Sequence, residues 1–172
     1  LGFTDEELEA LVLGLREVEQ VGDPDLVEAA RSALRKLQGR LPQRQSHRLT
    51  HSVLSARRFS PPAAPTIRVA ELRRATWEEL AVEFAYSDAK GAATYRTVKP
   101  LGLFYMDRST VLIAWCQLRQ NFRVFRLDRM ADLLVTEQSF RPHRVPMLRD
   151  AKAQIQAQVA EQIAAKSRDK PE

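Results

Sequence analysis

Alternation of apolar and polar residues between positions 82 and 136 constrains the fold of this chain more than any other feature. Val82, Phe84 and Tyr86 occupy alternate positions, and the segment 87–91 has the composition of a turn. A period of two is typical of strands that bury one face. Pro100 and Gly102 are expected to bend the return strand. The further strand segments, separated by short polar turns, are 95–98 continued by 103–106, 111–116, 122–127 and 130–136. Five short strands predict a small antiparallel barrel.

Helical periodicity precedes this region. Residues 4–19 carry an apolar stripe behind a capping box formed by Thr4 and Glu7, and Asp23-Pro24 begins a second helix that ends before Pro42. The two segments predict a helical hairpin whose apolar stripes, unless another element covers them, form a dimerisation or docking surface. The segment 42–58 is polar and basic, and it is interpreted as solvated. His47 and His51 are spaced to hold a metal on a helix, but no acidic or Cys ligand lies close in sequence, so no metal site is predicted.

A proline-rich stretch divides the chain. Residues 59–66 are interpreted as a stiff linker between a connector or dimerisation region at 1–58 and a domain at 67–141. That domain is expected to begin with an amphipathic helix over 67–81 and to continue as the barrel. Residues 142–172 form the tail, with a helix from about 145 to 166. The predicted fold class is therefore α+β, a helical hairpin connector followed by a five-stranded barrel and a C-terminal helix.

Positive charge is concentrated in the predicted strands. The chain has 27 Lys and Arg against 22 Asp and Glu, and the interval from Arg96 to Arg129 alone contains seven basic and two acidic residues. Its surplus equals the net charge of +5, so the rest of the chain is neutral in sum. Of the 27 basic residues 21 are Arg, whose planar fork suits phosphate or carboxylate. The pattern favours an anionic partner, with a solvated strand face as the alternative.

Several classes of protein are disfavoured by the sequence. No apolar run approaches the roughly 18 residues of a membrane span, and no signal-peptide pattern opens the chain, so a cytoplasmic location is expected. The single Cys116 excludes an internal disulfide and a cysteine-based zinc site. No catalytic triad, Walker loop or GxGxxG turn is present, so neither an enzyme nor a cofactor is predicted. The chain begins at Leu1, which suggests a fragment of a longer protein.

Three motifs carry a resemblance to a known family. R-x-V-x-P-L-G-L at 96–103, A-W-C at 114–116 and R-x-F-R-L-D-R at 123–129 occur in order, with Tyr86 ahead of them. In these motifs the chain resembles the WYL domain of YafY-type bacterial transcriptional regulators, often labelled DeoR-like. The Trp-Tyr-Leu positions that name the family fall on Thr110-Val111-Leu112, so only the leucine is retained.

The resemblance implies an Sm-like or SH3-like barrel that senses a ligand, since some family members bind nucleotides or single-stranded nucleic acid there. It also implies an N-terminal winged helix-turn-helix, which this sequence lacks, followed by a helical connector. Duplex DNA would be read only through that missing segment. A homodimer is expected from the apolar stripes of the connector and the C-terminal helix.

Candidate ligand-binding residues follow from alternation in the strand that begins at Phe122. Arg123 and Arg129 are predicted to share one face and to bind an anion, which agrees with the family pattern. Arg126 is a further candidate, although an ion pair with Asp128 is the favoured interpretation. Arg96 is a weaker candidate. Stacking faces could be supplied by Tyr86, Tyr95 and Phe104, although a core position is the favoured interpretation of each.

The function that these features predict is a ligand-sensing regulatory domain of a bacterial transcriptional regulator. Its effector would be anionic, a nucleotide or single-stranded nucleic acid, bound at an arginine-lined face. The alternative is a protein-protein interaction or dimerisation module without a small ligand. A small-molecule hydrolase or transferase is the least favoured hypothesis, because no acid, base or nucleophile can be assigned.

Overall fold

The computed structural model describes residues 2–52, 55 and 63–168, with side chains described as far as residue 166. The chain divides into two compact units, Leu1–Pro62 and Ala63–Glu172. Part of the predicted linker, residues 59–62, lies outside the described residues. Within the described ranges, no helix combines the length and the apolar character that a membrane crossing requires.

The first unit is helical. It contains α1 (Asp5–Val21), α2 (Pro24–Arg40) and α3 (Gln43–Thr50). The predicted capping box is confirmed, because the Thr4 hydroxyl accepts the N–H of Glu7 and the Glu7 carboxylate accepts the N–H of Thr4. Asp23 caps α2 in the predicted way, with Pro24 at the first helical position.

The prediction that the segment after Pro42 is simply solvated is wrong for its first part, which forms α3. A single apolar residue, Leu49, explains the difference, because it is buried against Leu8 and Val12 of α1. The connector is therefore a three-helix unit and not a hairpin, and α3 covers one face of α1. One leucine among eight mostly polar residues is too weak a pattern to predict a buried helix.

The second unit begins with α4 (Val69–Glu78) and ends with α5 (Arg144–Arg168). The helix predicted over 67–81 is shorter at both ends. At its C-terminal end, Glu79 takes a left-handed conformation with φ 57° and turns the chain into the first strand. The Glu79 carboxylate then accepts the N–H of Arg144 at 2.7 Å and so caps the first turn of α5.

Five antiparallel strands lie between these helices, in the sheet order β4-β3-β2-β1-β5. The predicted bend is present as a register shift between Pro100 and Gly102 within one continuous strand. The strands are β1 (Leu80–Ser87), β2 (Ala93–Tyr105), β3 (Thr110–Cys116), β4 (Asn121–Arg126) and β5 (Met130–Ser139).

The sheet curls strongly. Two strands separate β1 from β4, so a flat sheet would hold them roughly 14 Å apart. The ring centroids of Phe84 on β1 and Phe125 on β4 are nevertheless 5.3 Å apart, and those of Tyr86 and Phe125 are 5.1 Å apart. The predicted closed barrel is not confirmed, because β4 and β5 are the two edges and share no ladder among the described residues.

Each face of the sheet has its own core. The concave face packs on α4 and buries residues of every strand, including Phe84, Val98 and Leu112. The convex face buries Leu101 and Ile113 against Phe140 and α5. Leu112, the one residue retained from the Trp-Tyr-Leu triplet, is fully buried and is a core residue here.

Candidate ligand-binding site

Two of the predicted arginines lie on the concave face of the sheet. Arg96 is two residues before the buried Val98 on β2 and pairs in register with Phe84 of β1. Arg123 on β4 pairs in register with Ala114 of β3, which belongs to the same core. Directly paired residues of an antiparallel sheet point to the same face. Both arginine side chains therefore project from the concave face, where the first core lies.

The guanidinium of Arg96 is held in position by its own chain. Its Nε donates to the Thr94 hydroxyl at 3.0 Å, and its Nη1 donates to the Cys116 Sγ at 3.7 Å. Cys116 lies at the end of β3, two residues beyond Ala114, which is the register partner of Arg123. The two arginines therefore lie on one face of the sheet, on the two strands that flank β3.

Arg123 is the more exposed of the two, and it lies on β4, at the edge of the sheet. Among the described residues, neither Arg96 nor Arg123 forms an ion pair with a carboxylate. Two guanidinium groups on one face repel each other, and an anion bound between them relieves that repulsion. A phosphate or carboxylate can accept hydrogen bonds from both guanidinium groups.

Tyr86 shares this face and is largely a core residue. Its ring packs edge-on against Phe84 and Phe125, and its hydroxyl accepts the backbone N–H of Arg126 at 3.2 Å. This hydrogen bond satisfies a backbone donor that β4, as an edge strand, cannot pair with another strand. Tyr86 is half-buried, so only part of its ring is accessible to a ligand.

The other end of β4 is occupied by the ion pair predicted between Arg126 and Asp128, which is confirmed. The guanidinium donates to both carboxylate oxygens, from Nε at 3.0 Å and from Nη2 at 2.7 Å. Hydrogen bonding from Arg126 lowers the pKa of Asp128, and the same contact raises the pKa of Arg126. A bidentate partner within its own chain makes Arg126 the least available of the candidate arginines.

The strand predicted to end at Leu127 ends at Arg126, because Leu127–Arg129 form a 3₁₀ turn. Alternation therefore does not extend to Arg129, and the placement of Arg129 on the face of Arg123 stays a prediction without that support. Arg129 lies beside Asp128, and its positive charge contributes to the lowered pKa of that carboxyl group. It forms no ion pair among the described residues.

The remaining aromatic candidates lie on the convex face. Tyr95 pairs in register with Ala85, is 58% exposed, and donates its hydroxyl to the Glu83 carboxylate at 3.4 Å. Its pKa is raised, first by partial desolvation and then by the charge of Glu83. Phe104 packs in the second core, with the Lys152 ammonium 5.3 Å from its ring centre. Neither ring can stack on a ligand held by Arg96 and Arg123.

Sequence reasoning missed the groups that fix Arg96. Thr94 is two residues before Arg96 on the same strand, so alternation is the signal that could have placed the two side chains on one face. Cys116 is distant in sequence, and only the pairing of β2 with β3 brings it close. A further unpredicted contact lies elsewhere, where the Arg144 guanidinium stands 5.1 Å above the ring of Trp77, a side chain of α4 that is 71% exposed.

Comparison with known proteins supports a WYL domain in this part of the chain. Residues 68–135 match the family model of the WYL domain. The chain is also 36% identical over 61 residues to an uncharacterized HTH-type transcriptional regulator, YobV, of Bacillus subtilis strain 168. The aligned stretch is 36% of this chain and 20% of that protein.

Among solved structures, the chain is similar to proteasome accessory factor B/C (PafBC) of Arthrobacter aurescens. The sequence identity is 22% and the TM-score is 0.42, over 83% of this chain and 22% of that chain. The sequence therefore spans about a fifth of the length of either relative. The YafY type, the DeoR-like label and the absent winged helix stay predictions.

Proposed function

We propose that the second unit is the ligand-sensing domain of a bacterial transcriptional regulator. Its ligand bears phosphate, as a nucleotide or a short single strand of nucleic acid, and binds on the concave side of the curled sheet, which acts as an Sm-like barrel. The observation that carries the proposal is that Arg96 and Arg123 lie on one face, on the two strands that flank β3, without carboxylate partners among the described residues. The WYL match and the HTH-type relative support the regulatory role.

The residues have distinct roles in this proposal. Arg123 binds phosphate oxygens with its planar fork, and Arg96, held by Thr94, supplies a second positioned fork. The accessible part of the Tyr86 ring offers a surface on which a base can stack. Arg129 binds a more distant phosphate of a longer ligand, and Arg126 acts through Asp128 on stability. The unit positions and senses a ligand and carries out no chemistry, so the proposed function is not enzymatic.

Calorimetric titration tests the site. Cyclic nucleotides, linear nucleotides and short single-stranded oligonucleotides are titrated into the wild type, Arg123→Ala and Arg123→Lys. A charge-assisted contact contributes about 1.5–3 kcal/mol, so Arg123→Ala should weaken binding roughly ten- to a hundredfold. Arg123→Lys should lose most of that affinity if recognition is bidentate, because it retains the charge and not the fork.

Arg108→Ala is the matched control. Arg108 is exposed in the turn between β2 and β3, at the end of β3 that lies away from Cys116. It changes the net charge as much as Arg123→Ala and should leave affinity nearly unchanged. Equal affinity in the wild type and Arg123→Ala would show that the arginines form only a solvated face. A steep fall of affinity with salt would identify an oligonucleotide, because it contacts several phosphates.

A second candidate function is dimerisation, and exposed apolar side chains favour it. Leu11 on α1 is 41% exposed, and Val159 and Ile163 on α5 are 49% and 61% exposed. A homodimer that buries apolar stripes of the helical unit and of α5 would join two sensing domains in one regulator. Light scattering across a range of protein concentrations tests this, and a strict monomer at high concentration would exclude it.

A further inference from the structure

A tryptophan on α4 is exposed to solvent. The side chain of Trp77 is 71% exposed, the highest value among the large apolar side chains of the described residues. The buried side of α4 is formed by other residues, Leu72, Ala75 and Thr76 among them. Tryptophan is highly buried on average, and it is enriched at the energetic centres of protein interfaces. The Trp77 ring contributes little to the core of its own unit, so its exposure calls for another explanation.

A guanidinium group lies over this ring and is held there by contacts within the unit. The central carbon of the Arg144 guanidinium is 5.1 Å from the ring centre of Trp77. Its Nη1 donates to the Leu101 carbonyl at 3.2 Å, and the backbone N–H donates to the Glu79 carboxylate at 2.7 Å. Within the described part of the chain, the guanidinium forms no ion pair, and its other N–H groups have no acceptor. Arg144 therefore presents a fixed positive charge with free donors.

The joint between α4 and α5 keeps the ring and the guanidinium in place. Glu79, at the end of α4, has a left-handed conformation, which is uncommon for a residue with a Cβ. Its carbonyl accepts the N–H of Phe140 at 2.9 Å, and its carboxylate lies 3.7 Å from the Arg141 guanidinium. These contacts join the end of α4 to the start of α5. A partner that binds here has little ordering of the surface to oppose it.

We infer that Trp77 and Arg144 form the centre of a docking surface for another protein. The segment that binds carries a carboxylate next to an apolar side chain. The carboxylate accepts from the free N–H groups of Arg144, and the apolar side chain packs on the open face of the Trp77 ring. Val145, the next residue of α5, is 65% exposed and enlarges the apolar part of the surface.

The charges around the ring favour a protein over a strand of nucleic acid. Glu78, the residue after Trp77, pairs with Arg74 at 3.0 Å on the exposed side of α4, and the Glu79 carboxylate lies at the joint. A nucleic acid backbone is negative along its whole length, so it would meet these carboxylates as well as Arg144. A protein segment can place one carboxylate at Arg144. A central Trp and Arg with a charged, paired rim is also the usual composition of a protein interface.

Selection from a phage library of short random peptides on the immobilised whole chain tests the inference. The recovered peptides should share an Asp or Glu next to a Leu or an aromatic residue. Synthesised, they should bind Trp77→Ala and Arg144→Gln roughly tenfold or more weakly than the wild type. Trp77→Ala should retain the fold, because the ring is mostly exposed, and thermal denaturation checks this for both variants. Trp77→Phe should recover part of the affinity, because it retains an aromatic ring.

Arg149→Gln is the matched control. Arg149 is exposed on α5 about a turn and a half beyond Arg144, so the substitution removes the same charge from another side of the helix. It should bind the peptides as the wild type does. A selection without peptides that depend on Trp77, or with peptides that lack acidic residues, would overturn the inference.

A titration with oligothymidylate decides between the two classes of partner. Binding that is lost in Trp77→Ala and retained in Arg123→Ala would assign this surface to nucleic acid and overturn the inference. Equal binding of oligothymidylate to Trp77→Ala and the wild type is expected, because the proposed ligand site lies elsewhere in the unit. The result for the peptides is therefore independent of whether the proposed ligand site exists.

Discussion

The two ends of β4 use the same residue type in opposite ways. At one end Arg126 is neutralised by two hydrogen bonds to Asp128, and its backbone N–H is satisfied by the Tyr86 hydroxyl. At the other end Arg123 is exposed and forms no ion pair among the described residues, and Arg96, whose guanidinium contacts Cys116, lies on the same face of the sheet. At the first end the guanidinium is paired with a carboxylate of its own chain, and at the second end the guanidinium groups have no such partner and can bind a ligand.

This difference shows why a count of positive charges cannot locate a binding site. Arg96, Arg123, Arg126 and Arg129 contribute equally to the basic surplus of the strands, but their neighbours differ. A guanidinium with a bidentate carboxylate must lose that partner before it can bind a ligand. The arginines without such a partner are therefore the better candidates, and each end of β4 should respond to a different kind of experiment.

The largest effect on stability is expected from removing the Phe84 ring, which connects β1 with β4 across the core. Phe84 is fully buried and contacts both Tyr86 and Phe125. Phe84→Ala should destabilise the protein by about 3–5 kcal/mol and weaken both ends of β4 together. Urea denaturation measures the loss, and Leu134→Ala, at a 54% exposed position, is the control with little expected change. A small effect of Phe84→Ala would mean that the curl of the sheet does not depend on this core.

Next in size is the effect of Arg96 on ligand affinity. Arg96→Ala should reduce affinity by about 1.5–3 kcal/mol if its guanidinium contacts phosphate. The double variant with Arg123→Ala should lose less than the sum of the single losses, because the two forks bind one anion. Calorimetry on the four proteins gives the coupling. Additive losses would indicate that the two arginines bind separate groups and would remove the reason to treat them as one site.

Tyr86→Phe tests the end of β4 at which Arg126 is paired. Without the hydroxyl, the Arg126 N–H loses its partner, and a protein of about 1–2 kcal/mol lower stability is expected. Ligand affinity should change little, since the ring is retained. Tyr95→Phe is the matched control, because the Tyr95 side chain is 58% exposed, and the stability of this variant should be close to that of the wild type. A larger effect in the control would contradict this assignment.

The sequence predicted much of the strand unit and less of the site. All five strands were found, because alternation persists wherever one face of a strand is buried. The 3₁₀ turn at Leu127–Arg129 was missed, since three residues carry no period, and alternation was therefore extended to Arg129, where it does not apply. Only the curl brings Tyr86 to Arg126, across strands that are not neighbours. Such contacts depend on tertiary structure, which no local pattern contains.

The smallest expected effect is the pH dependence of the stability that the Arg126–Asp128 ion pair provides. The pKa of Asp128 is lowered in the folded protein, so the ionised carboxylate adds stability above its unfolded pKa of about 3.9. That contribution is lost as the pH falls through the lower folded value. The Arg126 side chain is 41% exposed, so the gain is small and is weakened by salt.

Asp128→Asn should therefore be less stable than the wild type at neutral pH, and the difference should disappear at pH values below the folded pKa. Thermal denaturation between about pH 7 and pH 2 measures it, with Asp150→Asn as the control at an exposed position on α5. A difference that persisted unchanged at low pH would show that Asp128 stabilises the turn by its shape and not by its charge. In that case Tyr86 and the core, and not the ion pair, would stabilise this end of β4. Arg126 could then bind a ligand as readily as Arg123.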